Sequence, residues 1–364
     1  MKAATMTKFG KINEVLTIQD MPKPKLIPGS KKMLVKVLAC STSPGDCRTY
    51  TGSVDFIRHP SFPYIPSQDI CGIIEEIDNA KSKSEFQIGD CIIGTWEMTP
   101  LGGMAEYALV DINLAVHKPS NISIFEGAAI ANSSVNAMLA VRDANVNKND
   151  RILILGGSSA VGSMIIQIVK NIGCSFIAST STDIELLNSL GVNQSINYKE
   201  QNWWEIKEFQ NQPFDKIIDC AEGVVGWNHA TQNRLLKTGW NNGIYLAVVS
   251  DTHHFEIHNL SQMISLLHKS MIIRPLYTKL LQCCYPKYKF LFGAPRGKSL
   301  NEFINTYINK DDDNNIKVVL DPLSPLNFND EDLKKAFQIQ EDRKAHGKIV
   351  IKIADEPMDG LVNK

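Results

Sequence analysis

The chain has 364 residues, 43% of them hydrophobic and 21% charged, with 38 Lys plus Arg against 39 Asp plus Glu. That length exceeds one typical core and predicts two domains, or one domain interrupted by another, and the composition excludes a disordered or fibrous chain. A near-neutral balance without a basic block excludes the electrostatic footprint of a nucleic-acid binder, so small molecules are the expected partners.

At the N-terminus, Met1-Lys2-Ala3-Ala4-Thr5-Met6 carries neither the apolar core of a secretory signal nor an Arg-rich amphipathic helix, and a cytoplasmic location is the expectation. Residues 1–125 hold short β-type runs such as Met33 to Leu38 and Cys91 to Gly94, punctuated by Pro28-Gly29, Pro44-Gly45 and Gly102-Gly103. They read as an all-β module. From Glu126 helical and strand-like segments alternate, the pattern of a parallel sheet wrapped by helices, so a domain boundary is expected near 125.

The sharpest local signal is the apolar run Arg151 to Leu155, bounded by Asp150 and followed at once by Gly156-Gly157-Ser158-Ser159-Ala160-Val161-Gly162. It predicts a buried strand entering a tight turn. Val161, Ile165, Ile168, Val169 and Ile172 then recur at helical spacing, and Gly173 stands where a C-terminal cap belongs. A second strand from Ser175 to Ser179 completes a β-α-β unit of about 30 residues. Lys216 to Cys220, Ile244 to Val249 and Tyr288 to Phe292 extend the same sheet.

Between the last two runs, Met263 to Cys284 is apolar but interrupted by His268, Lys269, Arg274, Pro275 and Lys279. A spanning helix needs about 20 nearly uncharged residues, so no membrane span is predicted. The eight cysteines, Cys283-Cys284 among them, lack the CxxC repeat of a zinc ribbon and read as reduced thiols, and His253-His254 reads as ordinary surface or core. The acidic, Asn-rich Lys310 to Asn315 predicts a solvated loop, and Asp355 to Lys364 a loose tail.

A dinucleotide pyrophosphate needs close backbone approach and a helix N-terminus whose N–H groups face the anion. Gly156 permits the turn, Gly162 lets the helix pack closely, and Ser159 stands where the middle glycine of the G-x-G-x-x-G fingerprint is expected. Gly156, Ser158, Ser159, Ala160, Val161 and Gly162 are therefore candidate cofactor residues. Enzymes using NAD usually place a carboxylate about 20 residues beyond the glycines to hold the ribose 2′-hydroxyl. Here that place reads Ser179-Thr180-Ser181-Thr182, hydroxyls that leave room for a 2′-phosphate, so the expected cofactor is NADP(H), with Asp183 following as the contrary sign.

Pro44 and Asp46, Gly72, Gly89-Asp90, Ala105-Glu106-Tyr107, the turn from Gly156 to Gly162, Leu190-Gly191-Val192, Ile196-Asn197-Tyr198 and Gly347-Lys348-Ile349-Val350 occur in an order that resembles the quinone oxidoreductase branch of the medium-chain dehydrogenase/reductase family. The similarity covers nearly the whole chain. It implies an α/β protein with a discontinuous GroES-like catalytic β domain at 1–125 and 294–354. Into this a Rossmann-type domain with a doubly wound parallel sheet, 126–293, is inserted, and 355–364 remain as a tail.

Zinc members of the family carry a catalytic Cys where this chain has Ser43, a Gly-His-Glu where it has Ser67-Gln68-Asp69, and a four-Cys loop after the region of Gly94. This chain has none of the three, and no metal is expected at the family's site. The resemblance also places Asn136 near the nicotinamide and Tyr198 near the adenosine end of the cofactor. Ser43 replaces the family's usual Asn, and Asp46, Arg48 and Tyr50 follow it on the substrate side, where Arg48 or Tyr50 would donate to a developing oxyanion. Asp46 with two rim residues is also readable as fold support.

The function implied is NADPH-dependent hydride transfer to a quinone or α,β-unsaturated carbonyl. The alternatives are an enoyl-thioester reductase, or a non-catalytic NADP(H)-binding scaffold of the same fold. A homodimer is expected only by analogy with similar proteins.

Overall fold

The computed structural model describes residues 1–57, 59–78, 85–96, 102–239, 243–252, 255–281, 283–291, 296–309 and 315–355. His253-His254, the solvated loop expected at 310–315 apart from Asn315, the chain's return near 294 and the tail beyond Asp355 lie outside the described residues.

In chain order the strands are β1 Lys2–Met6, β2 Leu16–Asp20, β3 Lys32–Ser41, β4 Asp69–Ile77, β5 Cys91–Thr95, β6 Tyr107–Asp111, β7 Ala115–His117, β8 Arg151–Leu155, β9 Phe176–Ser181, β10 Gln194–Asn197, β11 Lys216–Asp219, β12 Ile244–Ala247, β13 Lys287–Phe290, β14 Leu326–Asn327 and β15 Val350–Lys352. The helices are α1 Ile12–Val15, α2 Pro44–Tyr50, α3 Ile124–Asp143, α4 Ala160–Ile172, α5 Ile184–Ser189, α6 Lys207–Asn211, α7 Val224–Gln232, α8 Leu260–Leu267, α9 Arg274–Leu280, α10 Arg296–Tyr307 and α11 Asp330–Glu341. Two compact units result, one of Met1–Val135 with Pro295–Lys364, the other of Asn136–Ala294.

The first unit is built on β3, whose run of Val, Leu and Ala is buried along nearly all its length because it pairs antiparallel with β4, β6 and β15. The sheet continues as β14-β15-β3-β4-β5-β7. Under it lies a core that includes Met33, Val35, Ile70, Ile92, Phe337 and Ile351. The change of texture read at Glu126 is the opening of α3, a helix that sequence patterning did not single out. By length and composition α3 is apolar enough to cross a membrane, yet 72% of its most apolar window is buried inside the fold.

The second unit is an all-parallel sheet in the order β10-β9-β8-β11-β12-β13. Numbered within the unit this is 3-2-1-4-5-6, the doubly wound order whose chain direction reverses between β8 and β11. Ligands in such sheets bind at the carboxyl ends of the strands beside that switch point. Ile152, Leu153, Ile154 and Leu155 are fully buried, as a strand covered on both faces requires. Helix α4 is buried from Gly162 through Val169, wider than the single apolar stripe its periodicity predicts, and Gly173 caps it in the left-handed conformation at φ 87°.

Candidate functional site

The glycine turn lies at the carboxyl end of β8, on the switch point. Gly156 sits at φ +80°, and a Cβ there would come within 2.8 Å of Ala221 Cβ. Gly157 is tighter, since a Cβ would fall 2.0 Å from Ser179 Oγ, and one on Gly162 would fall 2.3 Å from the Gly156 carbonyl oxygen. Close approach therefore demands glycine at both places. Ser159, read as a substitute for the middle glycine, is the N-cap of α4: its Oγ accepts from Gly162 N at 3.0 Å and donates to Gly156 O at 2.8 Å. The Ala160 and Val161 amides, in the helix's first turn, have no intrahelical acceptor and give α4 an anion-binding end.

The hydroxyl run at the end of β9 is turned inward. Ser179 Oγ donates to Ile154 O at 2.8 Å, Thr180 Oγ1 accepts from Gly156 N at 2.9 Å, and Ser181 Oγ accepts from Asp183 N at 2.8 Å. All three residues are buried. Ser179 and Thr180 hold the glycine turn and β8 against β9. Asp183 caps α5 by accepting from Leu186 N at 2.9 Å. In the neighbouring strand Asn197 registers beside Ser181, which places exposed Tyr198 and Lys199 next to the end of β9. Patterning passed over Lys199, although it adjoins the tyrosine that was singled out. Asn136 is half-buried on α3.

In the first unit Ser43 and Asp46 form the capping box of α2. Asp46 Oδ2 accepts from Ser43 N at 2.8 Å and Ser43 Oγ at 2.7 Å, and Asp46 Oδ1 accepts from Ser67 N at 3.1 Å. Both oxygens are thus committed to the fold. Tyr50 is 1% exposed and donates to Glu341, and burial pushes its phenol well above the usual range. Asp46 and Tyr50 are thus both engaged with partners inside the first unit. Arg48 is half-buried in the last turn of α2.

At the place corresponding to the zinc members' ligands the residues are engaged with one another. Gln68 Nε2 donates to Trp96 O, and Gln68 Oε1 accepts from Asn132 Nδ2 at 3.2 Å. Asp69 accepts from Thr95 Oγ1 at 2.8 Å and from Asn132 N at 3.1 Å, with the buried Lys348 ammonium 3.5 Å away. Among the described residues no group of three or more His, Cys, Asp or Glu side chains has metal-binding geometry. None of the eight cysteines is in a disulfide.

Sequence reading missed two carboxylates beside the glycine turn, Asp219 closing β11 and Glu222 just beyond it. Asp219 is fully buried and accepts from the amides of Ala221, Glu222 and Gly223 at 2.9, 2.7 and 2.7 Å and from Tyr245 at 2.7 Å, while burial still raises its carboxyl. Glu222 accepts from Trp203 Nε1 at 2.9 Å, whereas its buried Oε2 has no hydrogen-bond partner. Burial and then the charge of Asp219 push Glu222 up to about 7. An acid closing the apolar run Lys216–Asp219 was the available signal.

Residues 29–120 match the alcohol dehydrogenase GroES-like domain. A quinone oxidoreductase of Rattus norvegicus is 30% identical over 244 residues, 66% of this chain and 71% of that protein. The 2-methylene-furan-3-one reductase of Solanum lycopersicum is 24% identical over 361 residues, 96% of this chain and 79% of that protein. Among solved structures, Escherichia coli quinone oxidoreductase complexed with NADPH superposes with a TM-score of 0.74 at 16% identity, covering 97% of this chain and 100% of that one. Likenesses of that extent, on a GroES-like unit joined to a 3-2-1-4-5-6 sheet with a glycine turn at its switch point, support NAD(P)H-dependent oxidoreductase chemistry, and the chain belongs to the quinone oxidoreductase branch of the medium-chain dehydrogenase/reductase family.

Proposed function

We propose that this protein is an NADPH-dependent reductase that delivers hydride to a quinone or an α,β-unsaturated carbonyl without zinc. The observation that carries the proposal is the glycine turn at the carboxyl end of β8, too closely packed at Gly157 and Gly162 for any side chain and set in front of the first turn of α4. Ala160 and Val161 amides would hold the pyrophosphate, with Ser159 fixing the turn's shape. Bound NADPH supplies the hydride from its nicotinamide; the protein orients it and polarises the acceptor. Arg48 in the first unit, the substrate side, is the proposed donor to the acceptor oxygen, and Asn136 the proposed partner of the nicotinamide carboxamide.

Two features support NADPH over NADH. Asp183, the carboxylate nearest the end of β9, is engaged as a helix cap, and Lys199 offers a cation beside Ser181 and Tyr198 for the 2′-phosphate. Zinc independence is supported by the donors: Ser43 Oγ is bound to Asp46, Gln68 to Trp96 and Asn132, and amide and hydroxyl oxygens are poor zinc ligands.

The test is NADPH oxidation by the purified protein with a panel of quinones, enals and enoyl thioesters, repeated after chelation. Turnover of a quinone or enone, unchanged by chelator, is expected. A tightly held zinc whose removal stops turnover would overturn the metal-free mechanism, turnover confined to enoyl thioesters would reassign the substrate, and NADPH binding without turnover would leave a cofactor-binding scaffold.

A further inference from the structure

Next to Ser67, whose amide holds Asp46, the first unit carries a hydrogen-bonded pair of side-chain amides. Gln68 is 2% exposed; its Nε2 donates to Trp96 O, and its Oε1 accepts from Asn132 Nδ2 at 3.2 Å. A backbone carbonyl only accepts, so the end of Gln68 that faces Trp96 is the NH₂. The oxygen of Gln68 then faces Asn132, and since an amide oxygen also only accepts, Asn132 has to present its own NH₂. The Trp96 carbonyl thereby decides the orientation of both amides.

Asn132 is the outer end of this chain of bonds. On α3, Ala128 to Ala131 and Ser133 to Val135 are all 4% exposed or less, and Asn132 between them is half-buried. Asparagine is an unfavourable choice inside a helix, so its presence there calls for a use of the side chain. Its backbone is pinned as well: Asn132 N donates to Asp69 Oδ2 at 3.1 Å, and the buried Lys348 ammonium stands 3.5 Å from the same oxygen. A donor fixed through both its backbone and its neighbour needs little reorganisation when charge develops in front of it. Gln68 and Asp69 stand where zinc members of the family carry the His and Glu of their Gly-His-Glu, at a metal that polarises the substrate oxygen.

We propose that Asn132 is a catalytic donor whose amide N–H hydrogen-bonds the carbonyl oxygen of the acceptor, and that Gln68 is a positioning residue that keeps the Asn132 NH₂ in its donating orientation, an assignment that rests on the hydride-transfer reading. An NH₂ carries two hydrogens, and the bond to Gln68 takes one of them. When the β-carbon of an enone or enal receives hydride from NADPH, the alkene pair moves toward the carbonyl oxygen and gives an enolate. The enolate takes a proton from solvent at its α-carbon, leaving NADP⁺ and the saturated carbonyl compound. Negative charge grows on the oxygen only during that step, so a donor aimed at it stabilises the transition state more than the ground state.

The test uses the full chain with cinnamaldehyde and 1,4-naphthoquinone as carbonyl acceptors. Asn132→Leu, similar in size and unable to donate, should lower kcat by about a hundredfold, the usual loss for one oxyanion donor, and leave the KM for NADPH unchanged. In the complex with NADP⁺ the infrared carbonyl stretch of the bound acceptor should lie lower in the parent than in Asn132→Leu, because a hydrogen bond weakens the C=O bond. Gln68→Met removes the acceptor that orients Asn132 and should move kcat and the stretch the same way by less, whereas a merely structural role would move the melting temperature and not the stretch. If Asn132→Leu does not fold, Asn132→Asp, which keeps the shape but as a carboxylate only accepts, decides by the same readouts. Parent-like kcat or an unmoved stretch in a folded Asn132 variant would overturn the proposal and leave hydride transfer intact. A lowered stretch that the variant abolishes, without turnover of either acceptor, would keep the donor and remove the hydride-transfer reading. A parent that reduces neither acceptor and lowers neither stretch would overturn both.

Discussion

At the nucleotide turn Gly162 is the glycine whose side chain would meet backbone atoms first. A side chain on Gly162 must begin 2.3 Å from a carbonyl oxygen and 2.9 Å from Gly157 Cα, so Gly162→Val has to push backbone against backbone. Overpacking of this kind costs about 1–3 kcal/mol, and the first turn of α4 would move with it. Gly162→Val should lower the melting temperature and lose NADPH affinity in fluorescence titration; a folded variant that binds like the parent would remove the turn as the pyrophosphate site. Ser159→Gly should be mild, but for a reason sequence reading did not contain. Ser159 is an N-cap, and glycine at an N-cap costs only a few tenths of a kcal/mol, whereas alanine costs about 1 kcal/mol.

Glu222 carries a pH prediction at the same scale. Its carboxyl is raised from 4.5 to about 7 in the folded protein, so between those values the folded state holds a proton that the unfolded state releases. Its contribution to stability is then complete below about pH 4.5 and is lost as pH rises through about 7. Glu222→Gln, which cannot ionise, should flatten that part of the decline in melting temperature between pH 5 and pH 7. An unchanged pH profile would mean that Glu222 ionises normally.

At the scale of single elements, what could be read depended on whether the determinants were local. Strand β8, its turn and α4 were legible because a buried run, two glycines and a C-capping Gly173 all lie within about 25 residues of one another. Helix α2 was not legible: Pro44-Gly45 read as punctuation of a β module, and the chemistry of the helix was hidden as well. Asp46 is tied to Ser67 and Tyr50 to Glu341, partners 21 and 291 residues away, and no spacing rule connects them. Asp46 therefore serves first as a cap. Asparagine there would present an NH₂ to donors that Asp46 accepts from on both oxygens, so Asp46→Asn should cost about 2–4 kcal/mol in urea denaturation. A drop in kcat with stability unchanged would return Asp46 to the reacting groups.

At the scale of the whole molecule, the family order of motifs carried more than any one of them, since Gly156 to Gly162 alone is only a tight β-α connection. The 3-2-1-4-5-6 order explains why the motif is informative. It puts the glycine turn, the end of β9 and Lys199 on neighbouring strands' carboxyl ends, where one dinucleotide can span them. The hydroxyls of Ser179 and Thr180 at the end of β9 are bonded to backbone groups of β8 and the glycine turn, partners that composition alone does not reveal. The proposed preference for NADPH then rests on Lys199 and on the engagement of Asp183.

That dependence can be measured on the intact chain. A ligand that binds only the folded state stabilises it by RT ln(1 + [L]/Kd), so at equal saturating concentrations the two cofactors' effects differ by about 1.4 kcal/mol for each tenfold ratio of affinities. NADPH should raise the melting temperature more than NADH. Lys199→Glu reverses the charge beside the 2′-phosphate position without touching the glycine cradle, and its side chain is exposed, so the unliganded melting temperature should hardly change. The NADPH increment should shrink toward that of NADH, and the NADH increment should persist because the pyrophosphate contacts of α4 are intact. Equal increments in the parent would mean that Asp183 serves the ribose in place of its capping bond. An NADPH increment untouched by Lys199→Glu would place the 2′-phosphate away from the end of β10.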